Sequence, residues 1–89
     1  MNAEIKTQLI ARLERRGVTF VDNVAGLTRF GQGARKTVDT STDAYVDHFA
    51  RGINKTMQAE GFTHAAYLEV DDTDSGDAVG VTVYLGKRD

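Results

Sequence analysis

Few residues of this 89-residue sequence are able to bind a transition metal. It contains no Cys and two histidines, His48 and His64. Neither histidine belongs to a His-x-x-x-His or His–Glu pair, the spacing at which imidazole and carboxylate groups converge on zinc and similar ions. The sequence therefore predicts no metal site, and the absence of Cys excludes disulfide bonds and thiol catalysis.

Nucleophilic catalysis and nucleotide binding are also not indicated. The serines Ser41 and Ser75 fall in a helix-capping segment and a turn, and neither has the Gly-x-Ser-x-Gly surround of a nucleophile elbow. Residues 26–31 have the opening spacing of a phosphate-binding loop, but Gln32-Gly33 stands where that motif requires Lys followed by Ser or Thr. We therefore expect a protein that is not an enzyme and that has no cofactor.

The densest group of ionisable residues is an acidic cluster, four aspartates within seven residues. Its order of acids and glycine does not match a calcium-binding EF-hand loop, and a catalytic acid would need an apolar pocket that this polar segment does not offer. We predict that the cluster is a partner-binding loop that steers a basic protein surface; the alternative is a charged turn that keeps an edge hairpin soluble. The four residues are Asp71, Asp72, Asp74 and Asp77.

The charge of the chain is unevenly distributed. The net charge is −2, yet residues 1–36 carry seven bases and three acids, whereas residues 37–89 carry four bases and ten acids. Such asymmetry is typical of a basic contact surface, an acidic one, or a homodimer that pairs the two, although exposed charges are also the norm on protein surfaces. The candidate basic surface consists of Arg12, Arg15, Arg16, Arg29, Arg35 and Lys36.

Two amphipathic helices are predicted to position these groups, because apolar residues recur at helical spacing. The first spans residues 3–16 and the second spans about 41–60, where Thr40 and Asp43 match a capping box. A glycine follows each helix as a left-handed stop, which predicts a contact between the apolar residues on either side. The stops and their flanking pairs are Gly17 with Leu13 and Val18, and Gly61 with Met57 and Phe62.

Strands are predicted where apolar and polar residues alternate. The clearest pair, 64–71 and 78–86, forms a hairpin around the acidic cluster. Residues 18–21 predict a short strand, and 26–30 with 34–38 predict another hairpin around a glycine-rich turn. The order is then αβββαββ, or αββαββ if a weak strand is absent, which indicates an α+β fold with an antiparallel sheet and two helices packed on one face.

Length and composition fit a single soluble domain over residues 1–89, with 40% apolar and 27% charged residues. No apolar run approaches the roughly 18 residues of a membrane span and no secretory core is visible, so we expect a cytoplasmic protein without a membrane partner. The predicted core comprises Leu9, Leu13, Phe20, Tyr45, Phe49, Ile53, Met57, Leu68, Val70, Val81 and Val83.

The favoured hypothesis is a non-enzymatic protein-binding module that acts by occupying a partner's surface. A standard interface of about 800 Å² per partner is a large share of so small a surface, so the chain can block a partner's site by covering it. Small phage-encoded inhibitors, the anti-CRISPR proteins among them, act in this way, and size and composition alone suggest that class.

Two other functions stay open. The basic N-terminal half favours a nucleic-acid-binding domain that contacts phosphates, although the net negative charge of the chain argues against it. A small ligand-binding protein or an enzyme of unrecognised type is the third hypothesis, because pockets are not visible in a sequence.

Overall fold

Two helices and one antiparallel sheet make up the part of the chain that the computed structural model describes, which is residues 2–21, 27–39, 42–72 and 78–88. In the sheet, the strand of residues 78–88 lies between the strands of residues 27–39 and 64–72. The predicted α+β class with an antiparallel sheet is confirmed. The elements are α1 (Asn2–Glu14), β1 (Leu27–Asp39), α2 (Asp43–Glu60), β2 (His64–Asp72) and β3 (Ala78–Arg88).

Helix α1 ends as the sequence predicts. Gly17 has a φ of 87°, in the left-handed region that favours glycine. The Val18 amide donates to the Leu13 carbonyl at 3.1 Å, and the Gly17 amide donates to the Glu14 carbonyl at 3.1 Å. These two bonds define a Schellman ending, and both Leu13 and Val18 belong to the buried core.

The N-cap of helix α2 lies two residues later than the predicted N-cap, Thr40. Its N-cap is Thr42, which makes no side-chain capping bond, whereas Thr40, the predicted N-cap of a capping box with Asp43, lies outside the described residues. The Asp43 carboxylate instead pairs with Arg12 of α1 and with Arg16, which lies just after α1. The predicted stop at Gly61 is confirmed, because this residue has a φ of 74°.

The strands before α2 differ from the prediction. Residues 27–39 form one strand paired antiparallel to β3, not a hairpin, and the glycine-rich segment is accommodated as a register shift between Arg29 and Gly33. Strand 18–21 is reduced to one parallel bridge between Phe20 and Ala65. The observed order is therefore αβαββ, because pairing along the long central strand outweighs the local turn signal of the glycines.

The core lies between the helices and one face of the sheet. All predicted core residues are confirmed as buried or packed against the core except Tyr45, which is 54% exposed and therefore wrongly predicted. Steps of four residues advance by about 40° around a helix, so the predicted stripe rotates away from the core at its N-terminal end. The buried face of α2 consists of Val46, Phe49, Ala50, Ile53 and Met57.

Alternation of buried and more exposed residues over 67–71 and 80–85 separates the two faces of the hairpin. Leu68, Val70, Val81 and Val83 are buried on the helix side. The residues between them form the opposite face, named here the open face of the sheet. It carries Tyr67, Glu69, Asp71, Gly80, Thr82 and Tyr84, all of them exposed or half-buried.

Candidate functional site

An ion-pair cluster joins the basic end of α1 to the acidic start of α2. The Arg12 guanidinium donates to Asp43 Oδ1 through Nε at 3.0 Å and Nη2 at 2.8 Å. Arg16 lies 3.6 Å from Asp43 Oδ2 through Nη2 and 3.3 Å from Asp47 Oδ1 through Nε. The two arginine side chains are only 15% and 20% exposed. Part of the charge asymmetry is therefore offset by ion pairs between these arginines and the acids at the start of α2.

The same cluster secures the end of α1. Arg16 Nη1 donates to the Arg12 carbonyl at 3.2 Å, and Asn54 Nδ2 of α2 donates to the Arg16 carbonyl at 3.1 Å. Both bonds satisfy carbonyl groups that a helix end leaves without internal partners. The hydrogen bond from Arg12 lowers the pKa of the Asp43 carboxyl below its usual value of 3.8. These residues thus have a structural role.

The other members of the candidate basic surface lie just after α1 and on β1. Arg15 is exposed at the end of α1. On β1, the backbone register pairs Arg29 with Gly86, Arg35 with Thr82 and Lys36 with Val81.

The acidic cluster begins where β2 ends. Asp71 is exposed on the open face, and Asp72 is the last residue of β2. Asp74 and Asp77 lie outside the described residues. The strands on either side of the cluster pair in one register from Tyr67–Tyr84 to Asp72–Val79, so the sheet extends up to the acidic segment.

An aromatic pair on the open face was not predicted from the sequence. Tyr67 and Tyr84 are register partners, and their rings stack with centroids 4.4 Å apart and an angle of 12° between planes. The Tyr84 hydroxyl donates to Glu69 Oε2 at 3.4 Å. The predicted hairpin of 64–71 with 78–86 places both tyrosines on the polar face, but counting pairs back from its turn sets Tyr67 opposite Thr82; the observed register, in which Asp72 pairs with Val79, sets it opposite Tyr84.

Glu69 also sets the electrostatics of this pair. Its negative charge raises the pKa of Tyr84 above the usual 10.0, because ionising the phenol would place a second negative charge beside the carboxylate. With Asp71 on the same strand and face, the open face of β2 is acidic and aromatic.

The remaining candidates provide no further site. His64 is 5% exposed, and its Nδ1 lies 2.9 Å from Thr63 Oγ1, whereas His48 is exposed. Within the described ranges, no group of three or more His, Cys, Asp or Glu side chains is arranged to hold a metal ion. Nor is either helix there long and apolar enough to cross a membrane.

Comparisons of this chain with protein-family models, curated proteins and solved structures find no match.

Proposed function

We propose that this chain is a non-enzymatic protein-binding module that covers part of a basic partner surface with its β2–β3 hairpin. The observation that supports the proposal most is the open face, where two stacked tyrosines lie beside Glu69 and Asp71. Tyrosine is enriched at protein interfaces because it combines a large apolar ring with a polar hydroxyl. The carboxylates add a charge that would attract a basic surface during approach.

The size of the domain is compatible with action by occlusion. Its accessible surface is 5421 Å², so a standard interface of about 800 Å² per partner would occupy about one-seventh of it. A phage-type inhibitor is one protein of this kind.

The nucleic-acid alternative has less support. Arg12 and Arg16, two of its six proposed contacts, are largely buried in ion pairs with Asp43 and Asp47. A phosphate would therefore have to compete with Asp43 and Asp47 for these two guanidinium groups. The acidic open face would repel phosphate as well.

Affinity capture from nuclease-treated lysate of the natural host cells tests the proposal. The bait would be the wild-type chain beside a double variant, Glu69→Gln with Asp71→Asn, which removes two charges from the open face. The matched control is Glu14→Gln with Glu60→Gln, because these exposed acids lie on the helices and carry the same charge.

We expect mass spectrometry to identify a protein that the wild type and the control retain and that the open-face variant loses. A partner retained equally by all three baits would contradict binding through this face. A parallel capture without nuclease treatment tests the alternative function, which would be favoured by a partner recovered only from the untreated lysate.

A further inference from the structure

We propose that the outer face of α2 is a second protein-binding surface, which fits an acidic helix of a partner protein. This outer face consists of Tyr45, His48, Arg51, Gly52 and Lys55, all of them exposed. It is turned away from the core, because the buried residues of α2 lie on the opposite side of the helix. The open face of the sheet lies beyond the core, so this surface is separate from the hairpin and goes beyond the proposed function.

The first step concerns the charge of the outer face. Successive residues advance by about 100° around a helix, so its five residues occupy about 120° of the circumference of α2. The acids of α2, which are Asp43, Asp47 and Glu60, fall outside this arc. Arg51 and Lys55 therefore give the outer face a positive charge, and a partner surface that carries carboxylates would complement it.

The second step concerns the availability of Arg51. Its side chain is 74% exposed, whereas those of Arg12 and Arg16 are 15% and 20% exposed. Within the described part of the chain its ion-pair partner is Asp47, whose Oδ2 lies 3.9 Å from Arg51 Nη2. This separation exceeds the length of a hydrogen bond, and exposed pairs of this kind contribute little free energy. Arg51 can therefore bind a partner's carboxylate without giving up a strong contact.

The third step concerns Gly52, which lies at the centre of the outer face. Glycine destabilises the interior of a helix relative to alanine. An added Cβ at this position would have open space around it among the described side chains, so the fold of the chain does not require glycine here. On an exposed helix, a missing side chain allows the backbone of another molecule to approach closely.

The spacing of the outer face favours a helix as the element that approaches. Tyr45, His48, Gly52 and Lys55 recur at alternating intervals of three and four residues, the spacing along which one helix packs against another. Helix axes pack about 8–10 Å apart, and a glycine at the contact favours the shorter distance. Tyr45 is 54% exposed, and tyrosine and arginine are both enriched at protein interfaces.

Other occupants of the outer face fit less well. A second copy of the same face would present the same two bases, and like charges repel. Nucleic acid is bound mainly through phosphates, and Arg51 and Lys55 would neutralise only two of them. An acidic protein helix matches both the charge and the spacing.

Amide chemical-shift mapping with a synthetic acidic helix tests the inference. The probe is an alanine-rich peptide of about 20 residues, long enough to be helical in water, with Glu at every fourth position. We expect saturable shifts at Tyr45 and along the outer face, with a roughly millimolar dissociation constant. The same peptide with Gln in place of every Glu should bind about tenfold more weakly, because its ion pairs are lost.

Four results of this titration would overturn the inference. They are the absence of shifts on α2, equal binding of the Glu and Gln peptides, tighter binding of a mixed-sequence DNA duplex to the same residues, and shifts that follow the protein concentration without any peptide. The third result would assign the face to nucleic acid, and the fourth would assign it to a second copy of the chain.

Two variants locate the site. Arg51→Gln with Lys55→Gln should weaken binding of the acidic peptide by about tenfold. The matched control is Lys6→Gln with Arg15→Gln, which removes the same charge from α1 and the residue just after it and should bind like the wild type. Equal loss of binding in both double variants would show attraction by net charge alone and would overturn the site.

Gly52→Gln should also weaken binding by roughly tenfold, because a side chain would hold the peptide helix away from α2. Its urea midpoint should equal or exceed that of the wild type, since the fold has room for the side chain. A Gly52→Gln variant that binds like the wild type would contradict the close approach.

The open-face variant, Glu69→Gln with Asp71→Asn, separates this inference from the proposed function. It should bind the acidic peptide like the wild type, even where it loses the partner captured by the hairpin. Loss of peptide binding in the open-face variant would show that the peptide does not bind at the outer face of α2.

Discussion

Gly17 and Gly61 end the two helices with positive φ values of 87° and 74°. A side chain is disfavoured there by its backbone and not by crowding, since a Cβ at Gly17 would meet Asn54 Nδ2 at an ordinary 3.6 Å. Gly52, in the middle of α2, differs from both, because a Cβ there would lie more than 4 Å from every described atom apart from its chain neighbours and the backbone of its own helix. The backbone conformation therefore requires glycine at positions 17 and 61, whereas position 52 would also accept alanine.

We expect Gly17→Ala to lower the free energy of unfolding by about 1–2 kcal/mol, the cost of a left-handed conformation for a residue with a Cβ. Gly52→Ala should raise it by about 0.5–1 kcal/mol, because alanine loses less entropy in a helix and meets no obstacle. Urea unfolding of both variants measures the difference. Two changes of the same sign would contradict the assigned role of Gly17.

The rotation of α2 against the sheet decides which aromatic side chain stabilises the domain. Phe49 is buried in the core, whereas Tyr45, one turn earlier, is 54% exposed. Phe49→Ala should therefore cost about 3–5 kcal/mol through lost burial and the cavity left behind. Tyr45→Ala should change stability by no more than about 0.5 kcal/mol. Thermal or urea denaturation of the pair measures this, and a large loss at Tyr45 would show that the helix is rotated differently.

The junction between α1 and α2 should be sensitive to acid. The pKa of Asp43 is lowered in the folded protein, chiefly by its hydrogen bond from Arg12. Its contribution to stability is therefore present above the usual value of 3.8 and is lost as the pH falls through the lower, folded value. Asp43→Asn should be less stable than the wild type at pH 7, and the difference should disappear in acid. Unfolding curves across this range measure it, and a difference independent of pH would contradict the ion pair.

The sequence predicted those elements whose formation depends on residues that are close together in the chain. Glycine stops and the alternation in β2 and β3 act over a few positions, so Gly17, Gly61 and the final hairpin follow from the sequence. The single strand β1 does not, because its pairing with β3 joins residues about 50 positions apart and overrides the glycine-rich segment. Tyr45 was misplaced for a similar reason, since the direction of a helix face is set by the sheet against which it packs.

The candidate site was predicted only in part. The acidic residues from Asp71 onward were visible as composition. The pairing of Arg12 and Arg16 with Asp43 and Asp47 depends on how two helices dock, which composition does not specify. The stacked tyrosines required the hairpin register as well as its existence.

Two groups of charges stand out among the described residues of the domain. Folding pairs bases of α1 with acids of α2, while the β2–β3 hairpin carries carboxylates on its open face and at the end of β2. The acids of the hairpin form a second, separate group of carboxylates. Neighbouring like charges repel one another, so their proposed use is the attraction of a basic partner.

The claim that the acidic cluster attracts a basic partner is tested most directly by an association rate. The rate is measured between the captured partner and a triple variant with Asp72→Asn, Asp74→Asn and Asp77→Asn. Stopped-flow measurements in low and high salt would compare it with the wild type and with a control that has Gln at Glu4, Glu14 and Glu60, three exposed acids of the helices. We predict slower association of the acidic-loop variant in low salt and a smaller difference in high salt, where exposed charges are screened, with the control close to the wild type. A triple variant that associates at the wild-type rate in low salt would show that the acidic cluster is only a solvated turn. Arg29, Arg35 and Lys36 would then be the next residues to test.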